Sequence, residues 1–166
     1  AVVFFNHRIS YRELDKLVYK VANALWFMNV KKGDRVAILL PNSVQCVATM
    51  LATWRLGAIV VGLPPMAPTK ALLGMIKHAE PKILVTLHDK NFEAHNLAIG
   101  AEFPRLAIIL ANIGDYLPFF LKPLYALKNR KTQRPENYFE WNDFIQFLEW
   151  DRKVDVVGPQ DLAALQ

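Results

Sequence analysis

The sequence predicts an α/β fold, a mainly parallel sheet with helices on both faces. Three observations carry the prediction. Continuous apolar runs at 36–40, 58–63, 83–86 and 106–110 have the pattern of strands buried on both faces. The stretches between them repeat apolar residues at helical spacing. The two kinds of segment alternate regularly, as right-handed crossovers between parallel strands require. The 166 residues, 53% hydrophobic and 21% charged, suit one ordinary folded domain with a core of its own.

Val2-Val3-Phe4-Phe5 reads as a short strand, after which Asn6-His7-Arg8 turns the chain. Ser10 and Glu13 have the spacing of a capping box, in which the hydroxyl accepts from the Glu13 amide and the carboxylate reaches back to the Ser10 amide. The helix beginning there carries Leu14, Leu17, Val18, Val21, Leu25 and Met28 on one face and runs about 18 residues. Asn29 is expected to take the left-handed stop usually given to glycine.

After the strand at 36–40, Pro41-Asn42-Ser43 punctuates the chain. Val44, Val47, Ala48, Leu51, Trp54 and Leu56 then form a second helical stripe ending before Gly57. The strand at 58–63 runs into Pro64, Pro65 and Pro68, which force a loop, since proline removes a ladder donor and disfavours helix in the residue before it.

A helix over 69–78, a strand over 83–86, a helix over 91–99 and a strand over 106–110 continue the alternation. The periodicity then fails, and 111–139 reads as an irregular insertion. A helix over 140–149 follows, with Trp141, Phe144, Ile145 and Leu148 on one face. Gly158-Pro159 turns into a last strand within 161–166.

The net charge of +5 and pI near 9.4 permit attraction to anionic surfaces, but solvated Lys and Arg are the favoured account, and no nucleic-acid partner is expected. Cys46 is the single cysteine, so an internal disulfide and a cysteine zinc site are excluded, which fits a reducing, cytoplasmic setting. No apolar run is long enough to span a bilayer. The chain begins at Ala1 without a basic leader and stops soon after Asp161, so both ends read as cuts inside a longer protein.

The chemical motifs come out negative. Gly57 and Gly62 have P-loop spacing, but Leu63-Pro64 stand where Lys and Ser/Thr would contact phosphate and magnesium, and no G-x-G-x-x-G occurs. His7, His78, His88 and His95 contain no H-E-x-x-H pair and read as structural or surface residues. Ser10 and Ser43 both sit at helix starts, where capping accounts for them. The acidic residues are scattered singly. No residue is therefore expected to be catalytic, cofactor-binding or metal-ligating.

The segment 115–131 stands apart from the core pattern. It sets nine apolar or aromatic residues beside Lys122, Lys128, Arg130 and Lys131. Two readings suit it: peripheral contact with a membrane headgroup layer or an acyl chain, and packing against the remainder of a larger enzyme.

Five short stretches taken together resemble the N-terminal region of the adenylate-forming superfamily, which includes acyl-CoA synthetases, luciferases and peptide-synthetase adenylation domains. They are Ile9-Ser10-Tyr11-Arg12-Glu13-Leu14, Lys32-Gly33-Asp34-Arg35-Val36, Pro41-Asn42-Ser43, Leu56-Gly57-Ala58 and Glu80-Pro81-Lys82-Ile83-Leu84-Val85. The order and spacing match over 3–85 and again over 161–166. Asp115-Tyr116-Leu117-Pro118-Phe119 and its basic continuation look most like the long-chain fatty acyl-CoA synthetases. The chain departs from the family pattern at Asn29 for Gly, Gly62 for Pro, Pro64 for Asn and Ala71 for Glu, which puts the loop over 64–69 in question.

The resemblance implies an N-terminal subdomain of an acyl-CoA synthetase large domain, spanning 1–166 and ending just before the loop that grips ATP. The parent enzyme would join a carboxylate to ATP as an acyl-adenylate, release pyrophosphate and pass the acyl group to CoA, using ATP, magnesium and CoA. The piece alone would be inactive and hold none of them, because the family's motifs for those groups lie beyond Gln166. Its partners would be the C-terminal remainder of the enzyme and a fatty acid; a homodimer is compatible with this. A medium-chain or aryl acid ligase, and a free-standing nonenzymatic α/β binding module, are the alternatives.

Overall fold

The computed structural model describes residues 2–4, 7–146 and 161–165. Strands β1 (Val2–Phe4) and β2 (His7–Ile9) pair antiparallel, Val2 opposite Ile9, so the segment expected only to turn the chain contributes a second strand. Helix α1 (Tyr11–Phe27) starts at the capping box: Ser10 Oγ accepts from the Glu13 amide at 3.2 Å, and the Ser10 amide donates to Glu13 Oε2 at 2.8 Å. Asn29 ends it with φ 63°, the left-handed stop the sequence indicates.

The alternation then proceeds as β3 (Arg35–Leu39), α2 (Val44–Arg55), β4 (Ile59–Gly62), α3 (Thr69–Ala79), β5 (Ile83–Leu87), α4 (Glu93–Glu102) and β6 (Ala107–Ala111). Helix α5 (Lys122–Asn129), β7 (Tyr138–Glu140), α6 (Trp141–Phe144) and β8 (Ala164–Leu165) complete it. The six strands β3 to β8 form one sheet in the order β7-β6-β5-β3-β4-β8, every neighbouring pair parallel.

Alternate residues of each strand face opposite layers. Val36, Ile38, Val60, Ile83, Val85 and Ile109 pack with α1, α2, Trp141 and Phe144. Ala37, Leu39, Val61, Leu84, Ile108 and Leu110 pack with Leu72 and Ile76 of α3 and Ile99 of α4. Continuous apolar runs were needed because both faces are dry.

Helix α2 buries the face its apolar residues suggest and more: Val44 and Ala48 are fully buried, and Val47, Trp54 and Leu56 pack against the core. Leu51 is exposed, while Gln45, Thr49 and Thr53 are fully buried beside Val44, Ala48 and Ala52. Thr49 Oγ1 donates to the Gln45 carbonyl and Thr53 Oγ1 to the Thr49 carbonyl, each at 2.7 Å. Hydroxyls satisfied one turn back enter a core without an unpaired donor, so apolarity alone misses the polar part of the buried face and misplaces only Leu51.

The stretch 111–139, irregular by its sequence, holds a 3-10 turn (Ile113–Tyr116), α5 and β7. Its periodicity failed for a physical reason. Helix α5 turns Asn129 inward and leaves Leu124 and Leu127 in solvent, while β7 is too short to display alternation. Trp141 and Phe144 are buried as expected, but α6 covers only 141–144, and 147–149 of the expected helix lie outside the described residues. The turn expected at Gly158-Pro159 also lies outside them.

Candidate functional site at the carboxyl edge of the sheet

Strand order determines where an open parallel sheet can hold a ligand. From β3 the chain moves through α2 to β4 on one side; from β5 it moves through α4 to β6 on the other. The connections therefore part company between β3 and β5, which are direct neighbours with Leu39 opposite Thr86. At such a reversal the carboxyl ends of the strands open a crevice. Here its two rims are Leu40-Pro41-Asn42-Ser43 and His88-Asp89-Lys90.

The first rim is the start of α2. Ser43 Oγ accepts from the Cys46 amide at 3.2 Å, so its hydroxyl serves as a cap. Burial pushes the Cys46 thiol up from its ordinary value, against the opposing effect of the Ser43 hydrogen bond. Gln45 is fully buried; its Nε2 donates to the Asn112 carbonyl at 3.0 Å and so ties α2 to the segment after β6. Its Oε1 is buried without a donor among the described residues.

The second rim is held from behind and from the side. From behind, α4 presents Asn96, whose Oδ1 accepts from Thr86 Oγ1 at 2.9 Å and whose Nδ2 donates to the Leu87 carbonyl at 3.0 Å. From the side, α5 presents Asn129, whose Oδ1 accepts from the Lys90 amide at 2.9 Å and whose Nδ2 lies 3.3 Å from Asp89 Oδ2. Asp89, 4% exposed, also accepts from the Asn91 amide at 2.9 Å and has Lys128 Nζ at 3.8 Å. Tyr125 OH reaches the His88 carbonyl at 3.4 Å.

His88 is buried with Nε2 unpartnered among the described residues. Burial, then the Arg134 charge, hold its ring below its ordinary value, and the opposing pull of Glu140, the Thr132 backbone and Asp89 is weaker. The ring is neutral at neutral pH.

This arrangement fixes two turns and an α5 clamp; it assembles no nucleophile with a base. Ser43 caps, Cys46 is held as the thiol, and His88 meets neither. Among the described residues no group of three His, Cys, Asp or Glu side chains could hold a metal ion. His95 Nδ1 bonds Thr69 Oγ1 at 2.9 Å, and His78 sits in the last turn of α3, so both serve helices. Gly62 ends β4 and leads into the 64–68 loop. Gln45, His88, Asp89 and Asn129 were not legible as a group, since Asn129 and Asp89 lie 40 residues apart and each alone reads as a cap or turn residue.

The whole chain, residues 1–166, matches the family model for AMP-binding enzymes. The chain belongs to that family. It is 28% identical over 134 residues, 79% of its own length, to a long-chain-fatty-acid–CoA ligase of Bacillus subtilis, of which this is 23%. Over 78 residues, 47% of its length, it is 44% identical to the mouse mitochondrial acyl-CoA synthetase short-chain family member 3, covering 11% of that protein. Among solved structures, coronafacic acid ligase from Pectobacterium brasiliense superposes with a TM-score of 0.74 at 24% identity, over 96% of this chain and 28% of that one. That likeness shows the fold, and this member of the AMP-binding family spans less than a quarter of the curated relatives just named.

Proposed function

We propose that this chain is the N-terminal subdomain of an ATP-dependent acid–CoA ligase for long-chain fatty acids, and that it supplies one wall of the catalytic crevice without performing the reaction alone. One structural observation carries the reading. Strand β8 lies parallel on β4, Val60 opposite Ala164, so it runs toward the same carboxyl edge as the crevice between β3 and β5. A phosphate-gripping loop following β8 would begin at that edge, where helix α2 also points its N-terminus.

Long-chain acids are favoured because the match to the Bacillus subtilis ligase extends over 79% of the chain, against about half for the short-chain synthetases. The short-chain matches are the more identical ones, at 44% and 40%, and they support acetate or another short acid as the second reading. The described residues do not fit a magnesium triphosphate site: they offer no metal-ligating cluster and no Lys-Ser/Thr pair after Gly62. In this reading ATP, magnesium and CoA are held by the rest of the enzyme, which is also the chain's main partner, and the subdomain sits in the cytoplasm.

The test is acid-dependent ATP–pyrophosphate exchange with the full natural protein and with residues 1–166. Exchange with palmitate in the full protein and none in the shorter chain supports the proposal. Exchange with acetate alone moves the assignment to short acids, and exchange with no acid overturns the ligase reading.

A further inference from the structure

Helix α5 is inside out for a helix in water. Its inward side is polar: the buried Asn129 engages Asp89 and the half-buried Tyr125 engages His88, while the exposed Lys128 reaches Asp89 from the rim. Its outer side, with the turn before it, is apolar. Phe119 is 84% exposed, Phe120 65%, Leu124 67% and Leu127 68%. Leu124 and Leu127 stand at i and i+3 on one side of α5, and Phe119 and Phe120 lie in the turn that leads into it. Phe119 and Phe120 meet edge to face at 5.7 Å and form a wedge at its head.

Four large side chains left in water on one short element are an apolar patch, and such patches mark contact surfaces. Charge selects the partner. Between Asp115 and Glu136 the chain has no acidic residue and carries Lys122, Lys128, Arg130, Lys131 and Arg134. Lys122, Lys128, Arg130, Lys131 and Arg134 are all exposed, and Lys128 and Arg134 also reach Asp89 and Glu140. An apolar stripe edged by Lys122, Arg130 and Lys131, with no acidic residue between 115 and 136, matches a layer of anionic headgroups over acyl chains.

We propose that 117–131 is a peripheral membrane-docking element that inserts Phe119, Phe120, Leu124 and Leu127 among the lipids of an anionic bilayer, with Arg130 and Lys131 on the headgroups. The polar clamp to His88, Asp89 and Lys90 holds the helix with that face outward before any lipid is met, so docking spends little on ordering it. The inference stands apart from the ligase reading, since it needs no catalytic competence.

The experiment is co-sedimentation of the full natural protein with phosphatidylcholine vesicles, with and without phosphatidylglycerol, combined with hydrogen exchange of the 117–131 amides. We expect binding to the anionic vesicles only, weakened by salt, with new protection confined to 117–131. The double variant Phe119→Ser/Phe120→Ser should lower partitioning by about tenfold or more, and Arg130→Ser/Lys131→Ser by about fivefold per cation. These residues are exposed, and an unchanged melting temperature excludes misfolding. A protein that stays in the supernatant with both kinds of vesicle, or variants that bind as the parent does, would overturn the proposal; the first result would mean that another protein surface covers the stripe.

Discussion

Asp34 and Lys82 meet at 2.9 Å on the amino edge of the sheet and join the turn into β3 to the residue before β5. The same ammonium donates to the Asn29 carbonyl, so one side chain closes the end of α1 and the start of two neighbouring strands. Burial by itself would raise the Asp34 carboxyl, but the Lys82 hydrogen bond, the Lys31 amide and the two lysine charges outweigh it and hold the group below its ordinary 3.8. A depressed carboxyl contributes stability above that ordinary value and loses it as pH falls through the folded one. Lys82→Met should lower the urea-unfolding free energy by about 0.5–1 kcal/mol at neutral pH, and by less in acid, since the pair is partly solvated. Equal losses at both pH values would exclude the ion pair as the cause.

Ser10→Ala removes one half of the capping box while leaving Glu13 in place. The expected cost is about 1 kcal/mol. A melting curve checks it, and the loss should vanish in Ser10→Asp, which restores a cap acceptor.

His88 is neutral, and its ring faces Arg134, Glu140, Asp89 and the Thr132 backbone. Its value is held below the ordinary 6.5, so the unfolded chain takes the proton first on acidification. Stability is therefore full above that value and declines as pH falls through it toward the folded one. His88→Gln should flatten this decline when denaturation midpoints are compared at about pH 7.5 and about pH 5. A slope equal to that of the parent would assign the effect to other groups.

Asn129→Ala deletes the amide that links α5 to the turn after β5. The Lys90 amide and Asp89 then lose a partner in a buried setting. The expected cost is about 1–3 kcal/mol, with faster hydrogen exchange in 122–129 than in β5. Uniform acceleration over the whole chain would instead mark α5 as part of the global folding unit.

The sheet was legible because each of its central strands carries its own evidence. Val36 to Leu39 and Ile83 to Leu87 are apolar at every position save Thr86, and a strand covered on both faces needs only that. The capping box at Ser10 and the left-handed Asn29 were equally local, since a cap or a positive φ is decided within a few residues. A second left-handed residue, Glu80 with φ 45°, left no such mark, because its side chain is one that turns rarely choose.

The candidate site was legible only as a location, and its members were not. Alternating strands and helices imply a crevice somewhere on the carboxyl edge. That it lies between β3 and β5 follows from the strand order, which depends on how distant segments pair. Gln45 belongs to it through the Asn112 carbonyl, and Asn129 through Asp89.

By itself, then, the sequence determined the α/β class, the central strands, the start and stop of α1 and the family resemblance, because short-range sterics, capping and apolar runs are written within a few residues. Only the tertiary structure decided that Thr49 and Thr53 face inward, that 111–139 contains a helix, and that this helix turns its polar side to the protein and its phenylalanines and leucines to solvent. Those outcomes rest on which hydrogen-bond partners long-range packing brings near, and no local pattern carries that information.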